Sequence, residues 1–69
     1  LPEERVRQLY SEYIETRIKQ KETVAAVTYD AVSKSLRESS AKLEEKHGKP
    51  VDFEVIVRDG KAALKPVLR

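Results

Sequence analysis

The sequence predicts an α+β fold, a helical hairpin packed on a two-stranded antiparallel β-hairpin, in the order α-α-β-β. Three observations predict it. Apolar residues recur at spacings of three and four over residues 1–21. A second periodic run is bracketed by helix start and stop signals between Thr28 and Gly48. Then VDFEVIVRDGKAALKPVLR alternates on both sides of an Asp59-Gly60 pair, the mark of two strands and a tight turn.

In the first segment, LPEERVRQLYSEYIETRIKQK, Pro2 sits where a helix tolerates it, and Glu3 and Glu4 complement the positive end of the helix dipole. Val6, Leu9, Tyr10, Tyr13, Ile14 and Ile18 form the expected buried face. Glu3 with Arg7 and Glu15 with Lys19 have the acid-first spacing of four that suits exposed pairs. Basic Arg17, Lys19 and Lys21 close the helix, and ETVAAV (22–27) is the connector.

The second helix is expected over 29–47, with Thr28 as its cap, Asp30 in its first turn and Val27 spaced to staple against Val32. Tyr29, Val32, Leu36, Leu43 and His47 share one stripe, together with the small residues Ser33 and Ser40. Gly48 takes the left-handed position that ends a helix, and Pro50 follows.

A type I′ turn at Asp59-Gly60 sets the hairpin register, with Arg58 opposite Lys61, Ile56 opposite Ala63 and Glu54 opposite Lys65. One face then carries Val51, Phe53, Val55, Val57, Ala62, Leu64, Pro66 and Leu68, and is expected to meet the helices. The other carries Asp52, Glu54, Ile56, Arg58, Lys61, Ala63, Lys65 and Val67. A slip of one residue would destroy this sorting, so the register is well specified. Pro66 places its stretch at a sheet edge.

The 69 residues make one domain, with no linker or repeat. A chain of this size buries only about 60% of its unfolded surface, so support from a second copy or a neighbouring domain is expected, the sheet being extended by dimerisation. Starting at Leu1, the chain reads as a domain excised from a longer protein. No cysteine is present, which excludes disulfides and thiolate zinc sites and fits a cytoplasmic protein. No apolar run approaches a membrane span, and no signal peptide is present.

Charge is dense but balanced, with 14 Lys and Arg against 12 Asp and Glu. Residues 1–34 hold six of each sign, and the excess lies in residues 35–69, with eight against six. A dedicated nucleic-acid binder carries a stronger bias.

No catalytic constellation can be drawn. His47, the single histidine, has neither Cys nor a second His to work with, and at a helix end it complements the dipole. Ser39-Ser40-Ala41-Lys42 fits the S-x-x-K spacing of penicillin-recognising enzymes, but its companion motifs are missing and four common residues meet by chance. Two glycines, Gly48 and Gly60, leave no Gly-rich phosphate cradle. The chain is therefore expected to be a non-enzyme, without cofactor, metal or small-molecule substrate.

Protein contact is the favoured function, with either an external partner or a second copy. On the hairpin's outer face Ile56, Ala63 and Val67 are apolar where water is expected, and Lys65 lies on the rim. Open strand edges offer a second route to pairing. The alternative is a small nucleic-acid-binding module of helix-turn-helix or winged type, with Arg37, Lys42, Arg58 and Lys61 on phosphates.

Leu9-Tyr10 with Tyr13, the segment VTYDAVSKSLRESSAKLEEKHG and the hairpin VDFEVIVRDGKAALKPV cover nearly the whole chain. In these features the sequence resembles a small C-terminal domain of unknown function found in myxobacterial multidomain signalling and motility proteins. The resemblance implies an accessory, non-catalytic module of a bacterial regulatory protein. It brings no functional residues with it.

Overall fold

A computed structural model describes residues 1–25 and 27–68. Ala26, in the expected connector, lies outside the described residues. The element order is α1 (Glu3–Lys19), α2 (Tyr29–His47), β1 (Val51–Arg58) and β2 (Lys61–Leu68), a compact α+β arrangement of two helices and an antiparallel hairpin.

Local signals act where the sequence places them. Pro2 precedes the first turn of α1, which carries Glu3 and Glu4. The Thr28 side chain caps α2 by accepting from the Ala31 N–H at 3.2 Å. Gly48, at φ 66°, ends α2 and donates its N–H to the Glu44 carbonyl at 2.7 Å. Asp59 and Gly60 have φ of 53° and 74°, as a type I′ turn requires, and every strand pair falls in the expected register.

The end of α1 uses a device the sequence hides. Lys21 has φ 59°, its N–H bonds the Ile18 carbonyl, and the Glu22 N–H bonds the Arg17 carbonyl at 2.8 Å. That pair of bonds is a Schellman motif, in which a lysine occupies the left-handed position that glycine usually takes.

The core consists of Val6 and Leu9 from α1, Val32 and Leu36 from α2, and Val51 and Phe53 from β1. Tyr10 of α1 meets Tyr29 of α2 edge to face, with ring centroids 5.4 Å apart. The start of α1 lies beside Glu44 near the end of α2, so the helices run antiparallel.

The helices cover the expected face of the hairpin only along a diagonal. At its open end the β1 residues Val51 and Phe53 are buried, while their partners Leu68 and Pro66 are exposed. Near the turn the order reverses, with Ala62 of β2 buried and its partner Val57 52% exposed. Val57, Pro66 and Leu68 are thus corrections to the fully buried face that alternation implies. Alternation assigns a face, whereas the crossing of the helix layer decides how much of that face is covered.

Ile18 is a second correction, at 59% exposed. At 3.6 residues per turn a spacing of four advances by about 40°, so Ile14 and Ile18 drift progressively off the axis of Val6. By the last turn the core-facing direction falls on Arg17, whose side chain is largely buried. On α2, His47 is likewise exposed, beyond the end of the stripe that begins at Tyr29. Ser40 on that stripe is buried, with its Oγ 3.1 Å from Glu44 Oε2.

Candidate functional site: the outer face and edges of the hairpin

Both helices lie on the Phe53 side of the hairpin, and among the described residues no helix or strand packs on the opposite face, onto which only the Arg5 side chain reaches from α1. That outer face is ordered along the strands by the register. Arg58 and Lys61 are adjacent to the turn, then come Ile56 and Ala63, then Glu54 and Lys65, then Asp52 and Val67. Ile56 and Ala63 therefore form one half-buried apolar pair between charged rows. Val67 is separated from them by the Glu54–Lys65 row, so the four residues expected to make one contact patch divide into a pair, a rim charge and an outlying valine.

Asp52 does not face solvent as alternation implies, being only 7% exposed. Arg5 at the start of α1 reaches round the edge of β1, and its Nε donates to Asp52 Oδ1 at 2.9 Å. Another guanidinium nitrogen donates to the Phe53 carbonyl at 2.9 Å. The hydrogen bond to Asp52 holds the Arg5 pKa above its ordinary value, outweighing the opposing effect of burial.

The other end of α1 reaches β2. Just beyond the helix, Glu22 Oε2 accepts from the Ala62 N–H at 2.8 Å. Glu22 is itself held by Arg17, 3.6 Å from its Oε1. Arg17 also donates to the Thr23 carbonyl through two nitrogens and to the Tyr13 hydroxyl, and stacks over the Tyr13 ring at 5.5 Å. Sequence reading assigned Arg17 only to the helix dipole and Glu22 only to the connector. Their signal is weak because each works through a partner remote in sequence or an adjacent carbonyl.

Exposed pairs behave differently. Arg7 meets Glu3 at 3.3 Å, as expected, while Glu15 and Lys19 form no bridge. The buried Tyr29 hydroxyl makes no hydrogen bond of good geometry, but Arg7 lies close enough for the phenol to hold its pKa up, with Glu3 adding to the effect.

The four basic residues of the nucleic-acid alternative do not converge. Arg37 and Lys42 are exposed on α2, whereas Arg58 and Lys61 lie on the face of the hairpin turned away from the helices. Arg37 also donates to Ser33 Oγ at 3.4 Å.

A groove of about 310 Å³ lies between the start of α1, the end of α2 and the start of β1, walled by Leu1, Pro2, Pro50 and Val51. Its polar lining is Glu44 and the Arg5–Asp52 pair, whose charges are already directed at each other. Among the described residues, no group of three His, Asp or Glu side chains could hold a metal ion, and no helix is long and apolar enough to cross a membrane.

No family model, curated protein or solved structure matches the chain.

Proposed function

We propose that this domain is a non-catalytic protein-interaction or dimerisation module that docks through the β-hairpin. Its setting is a bacterial regulatory protein, as the resemblance implies, and the cytoplasm, which a cysteine-free chain fits. One observation carries the reading: the outer face of a two-stranded sheet is left bare by both helices, yet places Ile56 opposite Ala63 at its centre, ringed by charge. A two-stranded sheet is a marginal unit by itself, and a surface that gains strands or cover by association suits it.

The test is Ile56→Asp. Folding should weaken by no more than about 1–1.5 kcal/mol in denaturant titration, as for a half-buried strand position, and the fold should persist. Association should fall sharply, both in sedimentation mass over a concentration series and in binding to the immobilised remainder of the parent chain. Unchanged association would count against this surface. Binding to DNA or RNA that weakens steeply with salt would instead transfer the function to Arg37, Lys42, Arg58 and Lys61.

A further inference from the structure

The two free edges of the hairpin are not equivalent. In this register the backbone groups of Ala62, Leu64, Pro66 and Leu68 point outward from β2, and those of Val51, Phe53, Val55 and Val57 point outward from β1. On β2 the Ala62 N–H is taken by Glu22, and Pro66 has no N–H to offer. On β1 the Phe53 carbonyl is taken by Arg5. Closer to the turn, Val55 and Val57 keep outward donors and acceptors that no group among the described residues occupies. Beside that opening Val57 is 52% exposed.

We infer that β1 pairs antiparallel with β1 of a second copy about a two-fold axis at Ile56, joining the two hairpins into one continuous sheet. The inference rests on the interaction reading and names the partner and the register. With the axis at Ile56, Val55 lies opposite Val57 of the second copy and Val57 opposite its Val55, giving about four backbone hydrogen bonds. Nothing is asked of the Phe53 carbonyl. Moving the axis to Val55 would require that carbonyl, which Arg5 holds. Moving it to Val57 would require Asp59, whose φ of 53° belongs to the turn.

The side chains agree with this register. On the outer face the two Ile56 side chains meet at a non-hydrogen-bonded position, where strands bring side chains closest. Glu54 of each copy lies opposite Arg58 of the other, an attractive cross-strand pair made twice. On the helix-facing side the exposed Val57 comes against Val55. One arrangement thus covers Val57, uses the outward Ile56 and matches the charges around it.

Because the chain has no cysteine, the register can be tested by single-cysteine cross-linking. A disulfide at the axis needs Cα atoms about 4.4–6.8 Å apart, which a non-hydrogen-bonded antiparallel pair supplies. Ile56→Cys should form a covalent dimer under mild oxidation, while Ala63→Cys, its neighbour on the same face, should stay monomeric. By sedimentation the wild type should dimerise with concentration. Glu54→Arg should weaken the dimer roughly tenfold, and the swap Glu54→Arg with Arg58→Glu should restore it. A wild type that stays monomeric throughout, equal cross-linking of both cysteine variants, or a charge swap without recovery would each overturn the inference. If the wild type is monomeric but Ile56→Asp still abolishes binding to the parent chain, edge pairing falls and the interaction reading stands. If Ile56→Asp changes nothing, both fall.

Discussion

At its start α1 is tied to β1 by Arg5, a single side chain that bonds both the buried Asp52 carboxylate and the Phe53 carbonyl. Beyond its end the tie to β2 runs through two residues, with Arg17 holding Glu22 and Glu22 accepting the Ala62 N–H. The first anchor confines a charge, since Asp52 is 7% exposed and sits on the sheet face opposite the core. The second satisfies a backbone donor and fixes a turn. A buried carboxylate is costly to deprive of a charged partner, whereas a backbone N–H left without Glu22 can regain water near the turn. The two ends of one helix should therefore differ in what their removal costs.

The largest effect is expected for Arg5→Ala, a loss of about 2–3 kcal/mol in urea unfolding, because Asp52 is left buried without its guanidinium. Arg7→Ala removes an exposed pair with Glu3 and the neighbour of the Tyr29 hydroxyl, and as the comparison should cost clearly less than Arg5→Ala. Equal effects for the two arginines would break the distinction. The sign with pH follows from the raised Arg5 pKa: its contribution is full below the ordinary arginine range and is lost only as pH rises through the still higher folded value. Arg5 titration thus gives no pH dependence in the neutral range.

Glu22→Ala should come next, at about 1–2 kcal/mol, and hydrogen exchange at the Ala62 amide should accelerate before that of the other strand amides. If that amide stays as protected as before, the second anchor is ornamental. The smallest effect, and of opposite sign, is expected for Lys21→Gly. Relieving the left-handed lysine should raise stability by up to about 1 kcal/mol, read as a shift of the denaturation midpoint at unchanged slope. A loss instead would mean that the unfolded chain's added freedom outweighs the relief.

These anchors also mark where sequence reading stopped. The hairpin register was legible in full because alternation and an Asp-Gly turn act over adjacent residues and admit one sorting of faces. Thr28 and Gly48 were legible because a hydroxyl cap and a glycine stop each declare themselves locally. Lys21 was not, since its left-handed φ is imposed on a residue type that rarely adopts it. Arg5 carried no sequence signal, Arg17 was read only as closing α1 and Glu22 only as connector, and what set them apart was packing: the layer crossing brings Arg5 and Glu22 within reach of strand edges, with Arg17 holding Glu22 in place. Of the candidate surface, Ile56 opposite Ala63 could be read directly. The inequality of the two edges could not, because it depends on which outward backbone groups distant side chains have already taken.

The anchors of α1 also have a consequence for the order of events in folding. Arg5 waits for partners 47 and 48 residues downstream, and Glu22 for one 40 residues downstream. The hairpin closes through a two-residue turn and α2 through its own cap, each on microsecond timescales and without help from α1. During synthesis α1 leaves the ribosome first, yet its fastenings are made last, after nearly the whole chain is available. Until then its apolar stripe of Val6, Leu9 and Tyr13 has only α2 to cover it. Both ties of α1 therefore need strands made long after it, one from β1 and one from β2, so a chain that stops short of β2 can hold α1 at its start but not at its end.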